Sequence, residues 1–382
     1  MDCGHRTMKM RFHIVGLPHT LTTKRTPYNA CAYTQKVLNF CKMMNGLGHA
    51  VYHYGGEGSE VECTEHVNIM SQADHTRFFH DQDWMVSAFD IAWDSKQPYW
   101  QVANAAAMAG IARRREKKDF LCLIGGASQK PIADFFGDGL MAVEYGVGYY
   151  GTFAKYRVFE SYAHMHHCYG QQKHDANGNF YDCVIPNYYD AADFPFSECP
   201  QQRLLFVGRG IIRKGLATIN AIAKAVKLPV VVAGQGFRKK GDKLMSQDGE
   251  TMDRSIEHLG FLDTAGRARE MGSSLALLVP TDYIEPFGGV AVESMLTGTG
   301  VISTDWGAFT ETVSEGVSGF RCRTLQEFVD AVEKCKTLDR AKVRQWALER
   351  YTLPVVAEQY DRYFHRLYDL WGKGWYTLKT SA

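Results

Sequence analysis

No apolar stretch of this chain approaches the roughly 20 residues that span a bilayer, so no transmembrane helix is expected. The opening residues Met1-Asp2-Cys3-Gly4-His5-Arg6 lack the apolar core of a signal peptide. Ten cysteines are present but none falls in a C-x-x-C pair, which removes the usual sequence signs of a zinc or dithiol site. Several lie in apolar runs, where a thiol acts as a small hydrophobe. An excess of either charge is also missing. The chain carries 43 Lys/Arg and 42 Asp/Glu, and the balance is nearly even on both sides of Pro195. Composition therefore neither marks nor excludes a nucleic-acid-binding module. There is no internal repeat and no low-complexity segment. These absences together give the expectation of a reduced, cytoplasmic protein.

What is present is enough for two ordinary α/β domains. A length of 382 residues, 45% hydrophobic and 22% charged, fits two buried cores better than one. Phe12-His13-Ile14-Val15-Gly16-Leu17 predicts a first strand and Ala30 to Gly46 a helix, with Tyr33, Val37, Phe40, Cys41 and Met44 at helical spacing. Gly48 to Tyr54 predicts a second strand. A βαβ opening of this kind implies a parallel sheet. Trp100 to Arg115 predicts a helix and Phe120 to Gly126 a buried strand. Val184-Ile185-Pro186-Asn187 and the polar, proline-bearing Asp190 to Pro200 have linker composition. Beyond it, strands at Leu204–Gly208, Val230–Gly234, Leu275–Val279 and Gly300–Thr304 alternate with helices at Ala217–Val226 and from Gly289. That rhythm predicts a second doubly wound domain. An aromatic-rich helix is expected from Pro354 to Trp371.

The segment from Glu285 through Pro286, Phe287, Gly288, Gly289 and Val290 to Glu293 carries the strongest chemical signal. A strand runs into a loop bearing an acid, two glycines open a helix, and a second acid follows one turn later. Ligands of open α/β sheets bind beyond the carboxyl ends of strands. Gly288 and Gly289 allow close backbone approach, and N–H groups at a helix start suit a diphosphate. The two carboxylates suit sugar and ribose hydroxyls instead. A second cluster runs from Val207-Gly208-Arg209-Gly210 to Arg213-Lys214-Gly215, where Arg209 and Lys214 would neutralise a diphosphate over a strand end. Read alone, that loop is equally well explained as a solvated basic turn.

Together these segments resemble the retaining glycosyltransferases of the GT-B type, family 4, the glycogen-synthase-like group. The resemblance runs from about Leu204 to Arg323. It includes Ala233-Gly234-Gln235-Gly236, His258-Leu259-Gly260-Phe261-Leu262, the Glu-x7-Glu pair Glu285 and Glu293, Gly307 with Glu311, and Glu315 to Phe320. It implies a GT-B fold, two Rossmann-like doubly wound domains facing across a cleft, over residues 1–197 and 198–353, with 354–382 crossing back. It further implies Gly208, Arg209, Lys214 and Gly234 at the donor diphosphate, with Gly260, Phe261 and Leu262 at the base. Glu285 would bind the transferred sugar, Phe287, Gly288, Gly289 and Val290 would make close contacts, and Glu293 would bind the ribose. Arg209, Lys214 and Glu285 would be the catalytic residues. No metal and no cofactor are implied, and a UDP-sugar is the family's commonest donor.

The N-terminal half matches less well. Gly16-Leu17-Pro18-His19-Thr20 replaces the family's Gly-Gly loop. Val143-Glu144-Tyr145-Gly146 stands where a strand-end His is usual, which makes His19, Glu144 and Tyr145 the acceptor-side candidates. Leu17–Thr20 and Phe159–His166 look similar to phage-encoded members, which adds hydroxymethylated DNA, in a host cytoplasm, to the acceptors. Glycan, small-molecule and membrane-associated acceptors stay open. An epimerase or phosphorylase on the same fold, or a non-catalytic nucleotide-sugar or nucleic-acid binder, are the rival readings.

Other signals have plainer explanations. His164, His166, His167, Cys168 and His174 lack convergent metal-ligand spacing and fit a polar helix end. Asp81-Gln82-Asp83 has the D-x-D pattern but no preceding apolar strand, and reads as a loop. The runs Arg113–Lys118 and Arg238–Lys240 with Lys243 read as a solvated helix end and a solvated loop. The tyrosines Tyr149, Tyr150, Tyr156, Tyr162, Tyr169, Tyr188 and Tyr189 read mostly as packing.

Overall fold

A computed structural model describes residues 8–86, 89, 91–171 and 177–371. His174, Cys3 and the end of the expected C-terminal segment, 372–382, lie outside the described residues. The first half forms one seven-stranded parallel sheet. Its strands are β1 (Arg11–Val15), β2 (Ala50–Gly56), β3 (Glu65–Met70), β4 (Phe120–Leu123), β5 (Met141–Val147), β6 (Tyr156–Phe159) and β7 (Cys183–Val184), in the spatial order 3-2-1-4-5-6-7. The second half gives β8 (Gln201–Val207), β9 (Val230–Ala233), a hairpin of β10 (Phe237–Lys240) and β11 (Lys243–Ser246), then β12 (Glu257–His258), β13 (Ser274–Val279), β14 (Gly300–Thr304) and β15 (Gly319–Cys322). Six of these make a second parallel sheet in the order 12-9-8-13-14-15.

The central strands of both sheets are buried on two faces, as parallel sheets require, and most of them read as apolar runs. Each order reverses at an internal point, between β1 and β4 and between β8 and β13. In doubly wound sheets ligands sit at such reversals. The loops after β8 and β13 carry the two sequence clusters described above, so the topology by itself sets them side by side.

The helix Leu353–Leu370 follows the second sheet yet packs into the first core. Phe364 meets Phe12 edge-on at 4.7 Å and Phe120 at 4.9 Å, and Tyr360 meets Phe40 at 5.0 Å. Its buried residues Val356, Tyr360, Tyr363, Phe364 and Leu367 recur at 3–4-residue spacing, the pattern of a one-faced helix. The chain thus crosses the cleft twice, once through the segment between β7 and β8 and once into this helix.

Some elements depart from expectation. β3 was not foreseen, because Glu65-His66-Val67-Asn68 is an edge strand with polar residues facing out. The basic run Arg238–Lys240 with Lys243 is a hairpin rather than a loop, its cations exposed and its apolar side, Phe237 and Leu244, tucked into the second core. Asp81-Gln82-Asp83, read from the sequence as a loop, does lie in the loop after the helix Gln72–Phe79.

Candidate functional site: a cleft between two parallel sheets

The carboxyl ends of both sheets face a shared cavity of about 500 Å³, within the ~300–1,000 Å³ typical of ligand sites. Its second-domain wall begins where β8 ends. Gly208 sits against the Gly234 backbone, and a Cβ on Gly234, whose φ is 133°, would run into the Gly208 carbonyl. Gly234 in turn donates its N–H to the Gly260 carbonyl at 2.9 Å. Three neighbouring strand ends are therefore joined backbone to backbone, a floor only glycine permits. Gly260 supports this floor and is not among the residues lining the cavity.

Above that floor stand the cations. Arg209 is exposed on the loop after β8 and lines the cavity with Arg213 and Lys214. The Lys214 ammonium donates to Glu285 Oε2 at 2.7 Å and to the Tyr283 hydroxyl at 2.7 Å, while Tyr283 donates to the same Glu285 oxygen at 2.6 Å. Burial and the neighbouring Glu285 push the Tyr283 phenol upward, so it stays a protonated donor. The Arg213 guanidinium lies 4.6 Å over the Tyr283 ring.

From Glu285 the chain turns through Pro286 and Phe287 to Gly288, the N-cap of the helix Gly289–Leu296, with φ 76°. A side chain at Gly288 would strike the Phe309 ring, and one at Gly289 the Tyr189 hydroxyl. The bare backbone at the helix start therefore faces the cavity, where its N–H groups suit an anion. Val290 lines the cavity as well, and Phe287 is buried, with its ring stacked on Tyr189 at 6.4 Å. One turn on, Glu293 takes a two-pronged contact from Arg267, 2.8 Å at Nε and 3.2 Å at Nη2. Phe261 and Leu262 complete this end.

The cavity thus brings together Gly208, Arg209, Lys214, Gly234, Phe261, Leu262, Glu285, Phe287, Gly288, Gly289, Val290 and Glu293. The three acceptor-side candidates do not line it. Glu144 is fully buried, accepting from the N–H groups of Phe153 (2.8 Å) and Ala154 (2.7 Å) and from Tyr149 (3.0 Å), with its carboxyl raised by burial. Tyr145 stacks on Phe40 at 4.2 Å inside the first core. His19 is enclosed by Phe79, Trp84, Phe89 and Trp93, and burial lowers its pKa to about 3.

The first-domain wall is made instead by residues the sequence did not assign to the acceptor side: Tyr33, Lys36, Gly148, Glu160, Asn187 and Tyr189. They come from four segments spread over more than 150 residues, and only the parallel sheet gathers them. Arg267 and Tyr283 were missed for a different reason. Each is one polar residue in an ordinary loop or helix, and its partner is known only once the strands are placed. In the histidine cluster, His164 turns inward toward the Tyr149 carbonyl (3.2 Å), while His167 meets the Tyr150 hydroxyl (3.0 Å). Among the described residues no group of three or more His, Cys, Asp or Glu is placed to hold a metal. No helix among them is long and apolar enough to cross a membrane.

This fold is that of the GT-B glycosyltransferases. AviGT4, a glycosyltransferase involved in avilamycin A biosynthesis, superposes with a TM-score of 0.65 at 17% identity over 94% of this chain and 98% of its own. Anabaena HepE, crystallised in complex with UDP-glucose, superposes with a TM-score of 0.57 at 16% identity over 94% of this chain and 100% of its own. In sequence, residues 201–337 match the family model described as Glycosyl transferases group 1. A curated relative, the phosphatidyl-myo-inositol mannosyltransferase of Mycobacterium tuberculosis, is 30% identical over 203 residues, 47% of this chain and 53% of its own length. The chain spans about half the length of the curated relatives it matches.

Proposed function

We propose that this protein is a glycosyltransferase that moves a sugar from a nucleoside-diphosphate donor to an acceptor hydroxyl. The observation that carries this reading is the convergence on one wall of Arg209, Lys214, the open backbone at Gly288-Gly289, and the two carboxylates Glu285 and Glu293. Cations and a helix start match a diphosphate, and carboxylates match hydroxyls. The same wall belongs to the segment that matches the group 1 family model. HepE, crystallised with UDP-glucose, directs the donor assignment to UDP-glucose first.

In this reading the diphosphate lies over Gly208 and Gly288 with Arg209 and Lys214 on its oxygens. Glu285, held by Lys214 and Tyr283, takes the sugar's hydroxyls, and Glu293, squared by Arg267, takes the ribose. As the glycosidic C–O bond breaks, negative charge grows on the β-phosphate, where the two cations lower its energy. The departing phosphate oxygen accepts the acceptor's proton on the same face, so the new bond keeps the donor's anomeric configuration and no metal is required. The nine described cysteines are all unpaired, which supports a reducing cytoplasm as the place of reaction.

For the acceptor, the resemblance to phage-encoded members directs assays to hydroxymethylated DNA. The curated relatives, named for phosphatidyl-myo-inositol and for glycogen, direct them to lipid and glycan hydroxyls. The test is transfer from UDP-glucose, GDP-mannose and ADP-glucose to these three acceptor types in excess EDTA, with the product's anomeric configuration read by NMR. Product of retained configuration is expected. An inverted product, or activity abolished by EDTA and restored by a divalent ion, would overturn the mechanism.

A further inference from the structure

The first-domain wall holds a buried polar cluster that the donor chemistry leaves unused. Lys36, in the helix Ala32–Gly46, forms an ion pair with Glu160, the residue just past β6. The two are 8% and 4% exposed, and both line the cavity. The ammonium also donates to the Gly146 carbonyl at 3.1 Å and lies 4.6 Å over the Tyr33 ring. Asn187, 7% exposed just past β7, donates its amide to Glu160 Oε2 at 3.0 Å.

Two features mark this cluster as built to receive something. The first is the room made for it. A Cβ on Gly148 would overlap the Glu160 carboxylate, and one on Gly146 would press on the Lys36 side chain at 3.2 Å. The second is unspent hydrogen-bonding capacity. Glu160 Oε1 is taken up by the ammonium, whereas Asn187 Oδ1 is, among the described residues, a buried acceptor with no hydrogen-bond partner. Buried acceptors left open cost stability, which a ligand that donates to them would recover.

The chemistry of that atom selects the ligand. The open atom is an acceptor, so it calls for an O–H donor. Lys36 offsets the Glu160 charge, leaving the cluster close to neutral, and a phosphate placed there would meet the carboxylate. Next in sequence, Ser161 donates to the Pro286 carbonyl at 2.6 Å, which ties this cluster to the loop carrying Glu285. We propose that Lys36, Glu160 and Asn187 form the acceptor subsite, with Asn187, held in place by the Lys36–Glu160 pair, accepting a hydrogen bond from a neutral, hydroxyl-bearing group held facing the donor sugar. The inference rests on the donor-site reading above.

The two are separated by measuring donor and acceptor independently. Donor affinity is taken by titration calorimetry with UDP-glucose, UDP, GDP-mannose and ADP-glucose. Acceptor binding is taken by saturation-transfer NMR on protein carrying the nucleotide it binds, with glucose, myo-inositol and 5-hydroxymethyl-2′-deoxycytidine as neutral probes and glucose 6-phosphate as the anionic one. Asn187→Ala and the charge-free pair Lys36→Met with Glu160→Gln are compared with wild type, the double variant avoiding a stranded buried charge. The expected result is that at least one neutral probe binds wild type and is weakened about tenfold or more in both variants, with nucleotide affinity unchanged. The subsite assignment is overturned if no neutral probe binds, if binding survives both variants, or if glucose 6-phosphate binds more tightly than glucose. Failure to bind any nucleotide would sink the donor reading instead.

Discussion

Lys214 and Tyr283 both place a hydrogen on Glu285 Oε2, so the cation expected at the diphosphate also orients the acid expected at the sugar. Removing Lys214 should therefore do two kinds of damage. Arg209→Ala and Lys214→Ala are each expected to lower kcat/KM by about 10²–10³-fold. Tyr283→Phe, which removes one bond onto Glu285 and leaves the ammonium, should cost less than either. Steady-state kinetics on the three variants check that order, and a Tyr283→Phe loss as large as that of Lys214→Ala would contradict it. At this scale the sequence was legible on one wall only. Glu285, Gly288, Gly289 and Glu293 sit within nine residues, so a single loop and helix carry their geometry. Lys36, Glu160 and Asn187 have no such local signature, and their meeting depends on which strands are neighbours.

The element that organises the donor wall is the set of strand ends β8, β9 and β12, joined through Gly208, Gly234 and Gly260. Because Gly234 combines a φ of 133° with contact to the Gly208 carbonyl, Gly234→Ala is expected to destabilise the second domain by about 2 kcal/mol or more. Urea denaturation measures it, and a change under about 0.5 kcal/mol, the range of neutral surface substitutions, would show that the floor can relax. A second element is the helix Tyr162–Gln171. Its first N–H groups, of Tyr162 and Ala163, are bonded at 2.9 and 2.8 Å by Glu311 from the opposite domain. Glu311→Ala leaves these donors to water and is expected to cost about 1 kcal/mol, with faster amide exchange at residues 162–165. Unchanged exchange there would show the helix start does not need the second domain. The sequence placed β1, β2, β4, β8, β9, β13 and β14, where burial on both faces leaves an apolar run. It did not predict β3, β6, β7, β12, β15 or the β10–β11 hairpin, which are short or carry polar and charged residues and so show no such run.

At the scale of the whole molecule, three buried histidines make the fold acid-sensitive. Burial lowers His19 and His53 to about 3 and His164 to about 4, against an ordinary value of about 6.5. In the unfolded chain they bind protons below pH 6.5 that the native state refuses until near pH 3–4. Stability is therefore full above pH 6.5 and is lost as pH falls toward those native values. By linkage each histidine removes up to about 2 kcal/mol by pH 5. Urea midpoints at pH 7, 6 and 5 should fall steadily, and His53→Gln should flatten that slope. A midpoint unchanged between pH 7 and 5 would contradict the buried, neutral assignment.

The central claim is that the wall between β8 and β13 holds a nucleoside-diphosphate sugar, and calorimetric titration of wild type and Glu293→Ala with UDP-glucose, GDP-mannose and ADP-glucose tests it most directly. One of the three should bind wild type with a single-site isotherm and bind Glu293→Ala at least about tenfold more weakly, the loss of a hydrogen-bonded carboxylate. If none binds, or if the bound one is indifferent to Glu293, the site assigned here is not a donor site.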